Sequence, residues 1–89
     1  MKLNQKFILR EVAGEYMLVN SDAQRVDLTS VFSLNESAAW LWRRIGTLEF
    51  TEDDLVTWLL DEYEVEEDVA RGDVRDMVAL WHQFGMIEN

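Results

Sequence analysis

The sequence contains few side chains of the kinds that perform catalysis. His82 is the one histidine among 89 residues, and it stands between Trp81 and Gln83 in a helical pattern. Acidic clusters at residues 52–54 and 64–68 could hold calcium in principle, but they lack the glycine-centred loop pattern of calcium-binding hands. Because cysteine is absent, thiol nucleophiles and thiolate zinc sites are excluded. With no glycine-rich phosphate loop either, we expect a protein that is not an enzyme and binds neither metal nor cofactor.

Composition and charge restrict the class of protein further. Hydrophobic residues make up 48% of the chain, which is enough for the core of one small domain covering residues 1–89. The N-terminus lacks the apolar segment of a secretory signal, and no apolar run approaches the roughly 18 residues of a membrane span. These features predict a soluble, cytoplasmic protein.

The net charge of the chain indicates which classes of binding partner to expect. Eight basic against eighteen acidic side chains give a formal charge of −10, which repels phosphate backbones and anionic lipid headgroups. Nucleic acid and membranes are therefore not expected partners. The same field would attract a basic or neutral peptide, although acidic residues also serve solubility alone.

The first third of the chain has the pattern of β-strands. Residues 7–12 and 16–20 are rich in β-branched and aromatic side chains, and Ala13, Gly14 and Glu15 separate them, which predicts a β-hairpin. A third strand is predicted over residues 26–34. A hairpin alone is marginal in water, so it must pack against the helices.

The remainder has the pattern of three helices. The first begins near Ser33 or Asn35, both good N-caps, and ends at Gly46. Thr51 caps a second helix that ends near Tyr63, and a third runs from Glu67 to Phe84. Their predicted apolar faces consist of Ala38, Leu41, Trp42 and Ile45 in the first helix, Leu55, Val56, Leu59, Leu60 and Tyr63 in the second, and Ala70, Val74, Met77, Val78, Trp81 and Phe84 in the third. The face of the third helix is too wide for one contact, so it is either core throughout or has an outer edge that lines a groove beside strand three.

Three local features remain open at this point. Trp40 lies off the stripe of the first helix, so it either packs under the hairpin or sits at a surface used by a partner. Gly72 could fray or bend the third helix. Met86 and Ile87 could complete a Schellman cap or form a short returning strand.

The succession of motifs resembles the PqqD family over nearly the whole chain. The segments that carry the resemblance are LREVAGEY at 9–16 with Leu18 and Val19, SLNESAAWLW at 33–42, TEDDL at 51–55, LDEYEV at 60–65, Asp73 with Val74, and GMI at 85–87. The serine-leucine-asparagine-glutamate run followed by tryptophan is the most specific of these. Gly72 and the loop around Phe50 depart from the family's usual pattern.

The resemblance implies an α+β fold, similar to a winged helix-turn-helix, with three N-terminal antiparallel strands followed by three α-helices. It also implies a recognition element of ribosomally made peptide natural products, which binds the leader segment of a precursor peptide. In that family the leader adds to strand three beside the third helix and is delivered to a modifying enzyme, often a radical S-adenosylmethionine protein. Carried over by position, the groove is lined by Leu28, Val31, Phe32, Ser33, Leu34, Val74, Met77, Val78 and Trp81.

Two functions fit such an architecture. One is a peptide chaperone, whose exposed strand edge could also pair with a second copy to give a homodimer. The other is a winged-helix DNA-binding regulator. Charge favours the first, because the third predicted helix has two arginines, Arg71 and Arg75, against four acidic residues.

Overall fold

The computed structural model describes residues 1–21 and 31–88. In chain order the elements are β1 (Lys2–Leu3), β2 (Phe7–Val12), β3 (Glu15–Asn20), β4 (Val31–Leu34), α1 (Glu36–Ile45), α2 (Glu52–Glu62), α3 (Glu67–Gln83) and β5 (Ile87–Glu88). The predicted α+β order, an antiparallel sheet followed by three helices, is confirmed. A small pairing of β1 with β5 adds a second, two-stranded sheet.

The hairpin of β2 and β3 turns at Ala13 and Gly14, where φ is 52° and 80°. Two successive positive φ values at a two-residue loop match the twist of an antiparallel pair, as in a type I′ turn. Leu18 is fully buried and lies opposite Leu9 on β2 and Phe32 on β4. This row of side chains faces the helices, so alternation places Ile8, Val19 and Val31 on the outer face.

Only the last part of the predicted third strand lies in the described chain. Val31–Leu34 form β4, which pairs with β3 and places Ser33 opposite Met17. The predicted residues 26–30, including Leu28, lie outside the described residues.

Asn35 is the N-cap of α1, and the alternative N-cap at Ser33 is wrong. The Asn35 Oδ1 accepts a hydrogen bond of 2.8 Å from the Ala38 amide, whereas Ser33 belongs to β4. The predicted stripe of α1 is buried throughout. At its far end Gly46, with φ of 55°, donates its amide to the Trp42 carbonyl.

The start of α2 is a complete capping box. The Asp54 amide donates to Thr51 Oγ1 at 3.1 Å, and the Thr51 amide donates to Asp54 Oδ2 at 3.0 Å. Leu55, Val56 and Leu59 are buried as predicted, and Leu60 and Tyr63 are half-buried against the same core.

The third helix continues through Gly72 without a break. It ends in a Schellman motif, because the Met86 amide donates to the Trp81 carbonyl at 2.8 Å and the Gly85 amide to the His82 carbonyl at 3.2 Å. Gly85 has φ of 78°, which favours glycine. Since Ile87 then pairs with Leu3, both alternatives for Met86 and Ile87 are correct.

Packing between the helices centres on tryptophan. The rings of Trp42 on α1 and Trp81 on α3 meet edge to face, with centroids 5.2 Å apart. Trp40 is half-buried, with its ring edge to face against Tyr63 at 5.8 Å. In the described part of the chain, no helix has the length and apolar character needed to cross a bilayer.

Candidate functional site

The strand β4 lies at an edge of the three-stranded sheet. The sheet order is β2, β3, β4, so β4 pairs with β3 on one side, and within residues 1–21 and 31–88 no strand pairs with its other side. The outward amide and carbonyl groups of such an edge can accept another extended chain. This edge is therefore a candidate surface for strand addition.

Aromatic contacts connect the end of α3 to this edge strand. The Phe84 ring lies 4.9 Å from the Phe32 ring, centroid to centroid, and Phe32 in turn lies 6.2 Å from Phe7. Aromatic pairs at these separations attract each other beyond the burial of their area. Phe84 nevertheless keeps 44% of its surface exposed, so it forms part of the surface beside β4.

The predicted groove residues fall into two groups. Val31, Phe32, Leu34 and Met77 are half-buried and Ser33 is exposed, so these five can meet a bound chain directly. Val74, Val78 and Trp81 are at most 5% exposed and belong to the core. The structure thus brings together the β4 residues and Met77 as surface, with the other three α3 residues packed beneath.

Two exposed residues of α3 were missing from the predicted groove. Leu80 is 50% exposed and Phe84 44% exposed. They follow Met77 by three and seven positions, which places all three on one side of the helix. That spacing is the signal in the sequence, but periodicity gives the direction of a face and not how deeply its side chains are buried.

A pocket of about 260 Å³ continues this surface at the C-terminal end of β4. Its floor comes from all three helices, and its lining residues are Asn35, Ser37, Ala38, Leu41, Leu59, Asp73, Val74, Asp76 and Met77. Only Met77 and Val74 among them belong to the predicted groove. Asp73 and Asp76 give the pocket a negative rim.

Two ionisable groups near the helices have shifted pKa values. Burial raises the pKa of the Tyr63 hydroxyl above its ordinary value, with further contributions from the nearby carboxylates of Glu36 and Glu62. On the other side of α3, the hydrogen bond and charge of Asp53 raise the pKa of Arg71. Both shifts move the pKa of the group further above neutral pH.

Residues that could perform other chemistry do not converge. His82 is exposed in the last turn of α3. The acidic clusters lie at the starts of α2 and α3, where the backbone N–H groups favour carboxylates. Among the residues that the structure describes, no three histidine, aspartate or glutamate side chains group as a metal site would require.

Comparison with known proteins identifies the family. The sequence profile of the family described as coenzyme PQQ synthesis protein D, PqqD, matches residues 6–87. The chain therefore belongs to the PqqD family. A comparison with curated proteins gave no significant match.

Two solved structures share the fold. One is described as TbiB1 in complex with the TbiA(beta) leader peptide, with a TM-score of 0.73 and 18% identity over 100% of this chain and 96% of that one. The other is described as lasso peptide synthetase B1 complexed with the leader peptide, with a TM-score of 0.70 and 22% identity over 99% and 96%. At these identities the likeness establishes the common fold.

Proposed function

We propose that this chain is a non-catalytic peptide-binding module, a peptide chaperone for the leader segment of a ribosomally synthesised precursor. The leader adds as a strand to β4, and its apolar side chains pack beside α3. The module then presents the precursor to a modifying enzyme, such as a radical S-adenosylmethionine protein. The observation that carries this proposal is the edge of β4, which no other strand pairs with in the described chain, next to the exposed Phe84 ring at the end of α3.

Family and fold support the proposal. The PqqD profile covers residues 6–87, and both similar structures are described as complexes with a leader peptide. The surface proposed for the leader comprises Val31, Phe32, Ser33 and Leu34 on the strand side and Val74, Met77, Val78 and Trp81 on the helix side, to which we add Leu80 and Phe84. The predicted contact at Leu28 lies outside the described residues. Within this set Val74, Val78 and Trp81 support the surface from below.

The contacts that this surface can make are sufficient for a dissociation constant in the micromolar range or below. Two or three apolar anchors contribute about 1.5–3 kcal/mol each when fully buried, and each strand hydrogen bond adds a net of about 0.5–1.5 kcal/mol. These gains exceed the cost of ordering the peptide by enough to reach the roughly −8 kcal/mol of a micromolar complex. The same edge could pair with a second copy, so leader binding and homodimer formation should compete.

The DNA-binding alternative is disfavoured by the surroundings of the α3 arginines. Arg71 donates to Asp53 at 2.7 Å, and the Arg75 Nε lies 3.9 Å from Asp76 Oδ1. A helix that reads DNA needs cations available for phosphates and bases. The α3 helix has these two arginines against four acidic side chains, in a protein whose net charge of −10 repels phosphates.

An NMR titration tests the proposed site. The probe is the N-terminal segment of a short precursor encoded beside the gene of this chain, added to the ¹⁵N-labelled protein. We expect the amide shifts to concentrate in β4 and on the side of α3 that carries Met77 and Leu80. Met77→Asp should weaken binding at least about tenfold, because the short polar side chain removes an apolar contact that contributes about 1.5–3 kcal/mol when fully buried.

A matched pair of variants separates the groove from general effects. Leu80 and Leu48 are both 50% exposed, but Leu48 lies in the loop between α1 and α2. Leu80→Asp should weaken binding, whereas Leu48→Asp makes the same change of charge and should leave it unchanged. Shifts confined to α1 and α2, or undiminished binding by Met77→Asp, would contradict the site.

A further inference from the structure

The pocket at the end of β4 combines an apolar floor with an acidic rim. Its floor is formed by Ala38, Leu41, Leu59, Val74 and Met77. Asp73 and Asp76 stand on the α3 side of the opening, and both carboxylates are exposed. No lysine or arginine is among the residues that line this pocket in the described chain. The opening therefore carries a local negative charge above a surface that water solvates poorly.

The negative rim is not neutralised by its neighbour. The one ion pair of this rim in the described chain joins Asp76 to Arg75 at 3.9 Å, and both side chains are more than three-quarters exposed. Exposed pairs of that length contribute little. A purely apolar occupant would pack on the floor and leave the two carboxylates without a cation beside them. A lysine or arginine side chain suits both parts of the pocket, because its stem is apolar and its end is cationic.

We propose that this pocket receives a lysine or arginine side chain of the bound leader, an inference that rests on the function proposed above. Asn35 lines the pocket and directly follows Leu34, the last residue of β4. A strand added to β4 therefore passes the mouth of the pocket. The apolar anchor of the same strand lies beside Leu80 and Phe84, and the basic side chain lies beside Asp73 and Asp76.

The geometry of α3 also sets the spacing of the two anchors. Leu80 and Phe84 follow Asp76 by four and eight residues, which is about 6 and 12 Å along a helix. A strand advances about 3.3 Å per residue, and its side chains alternate between faces. The leader should therefore carry its basic residue two or four positions from its apolar anchor.

Selection from a displayed library of random twelve-residue peptides tests the proposal even when the sequence of the leader is not known. The wild-type protein should enrich peptides that pair an apolar residue with a lysine or arginine two or four positions away. Asp73→Asn with Asp76→Asn should keep the apolar preference and lose the basic one. Both aspartates are exposed, so this double variant should fold as the wild type does, and a circular dichroism melt checks it.

A charge-matched control separates the pocket from the net charge of the whole protein. Asp61→Asn with Glu64→Gln changes the charge by the same amount at exposed positions outside the pocket. This control should keep the basic preference. In fluorescence anisotropy, replacing the basic residue of an enriched peptide by glutamine should weaken binding to the wild type about three- to tenfold, and less than twofold to the double aspartate variant.

The outcomes distinguish this inference from the proposed function. If the enriched peptides bind β4 but show no basic preference, or if that preference survives in the double aspartate variant, the pocket assignment is overturned and leader binding stands. Loss of the preference in the charge-matched control also overturns it, because the net charge would then be the cause. If the wild-type protein enriches no peptide that shifts β4 amides, both are overturned.

Discussion

The contact between Phe32 and Phe84 provides a quantitative test of how α3 meets the sheet edge. The two ring centroids lie 4.9 Å apart at an interplanar angle of 45°. The perturbation is a double-mutant cycle of Phe32→Leu and Phe84→Leu. Leucine keeps an apolar side chain at each site, so each single substitution should cost less than the about 3–5 kcal/mol of truncating a buried phenylalanine to alanine. The coupling between them then reports the ring contact itself.

The expected coupling follows from the geometry and exposure of the pair. Aromatic pairs contribute about 0.5–1.5 kcal/mol beyond their burial. Because Phe84 is 44% exposed, we expect the lower part of this range, about 0.5–1 kcal/mol. The double variant should be less destabilised than the sum of the single variants, since the second substitution has no ring contact left to remove.

Urea unfolding followed by circular dichroism measures the cycle. For a domain of this size the free energy of unfolding falls by about 1 kcal/mol per molar urea, so the coupling corresponds to roughly 0.5–1 M in the midpoint. A control cycle of Phe84→Leu with Leu48→Ala should be additive within about 0.3–0.5 kcal/mol. If the effects of Phe32→Leu and Phe84→Leu were additive within the same limits, the two rings would not be in contact. The packing of α3 against β4, on which the proposed groove depends, would then be refuted.

Three further predictions concern the core, the glycines and the charge. Leu41→Ala and Trp42→Ala should each destabilise by roughly 2–5 kcal/mol, because both side chains are buried. Thermal melts check this against exposed Leu48→Ala, and melting within a couple of degrees of wild type would contradict it. Gly72→Ala should stabilise by about 0.5–1 kcal/mol, because apart from the adjoining residues and the nearby helix backbone no atom lies within 4 Å of the added Cβ, and the residue is helical. Gly85→Ala should destabilise the protein by about 1–2 kcal/mol, because φ there is 78°. Urea unfolding measures both variants, and a less stable Gly72→Ala or a more stable Gly85→Ala would contradict the corresponding assignment. Finally, fluorescence anisotropy with random duplex DNA at physiological salt should detect no binding. Salt-sensitive binding at micromolar affinity would instead support the alternative function of a DNA-binding regulator.

Short-range signals in the sequence predicted most element boundaries. Asn35 and Thr51 mark helix starts through hydrogen bonds to residues three positions away, and Gly85 marks a helix end through its positive φ. The hairpin turn at Ala13 and Gly14 is equally local. Such signals can be read from sequence because the interacting groups lie within a few residues of each other.

The N-cap of α1 shows that local sequence signals can be insufficient, because both Ser33 and Asn35 fit the position. Both residue types cap helices well, and Ser33 has a glutamate in the capping-box position. Pairing of Ser33 with Met17 across the sheet places Ser33 in β4 and leaves Asn35 as the cap. A contact between residues far apart in the chain thus decided between two equivalent local patterns.

For the candidate site, the charge, the helical stripes and the segments that resemble the PqqD family can all be read from the amino-acid sequence. Which side chains of α3 are available to a partner depends on the packing of the folded chain. Val78 and Trp81 are covered by the other elements, whereas Leu80 and Phe84 remain at the surface. Periodicity fixes the direction of a side chain around its helix, but its exposure depends on what the rest of the chain packs against it. The pairing of β1 with β5 is likewise decided by tertiary structure, because a strand of two residues is too short to show a hydrophobic period in the sequence.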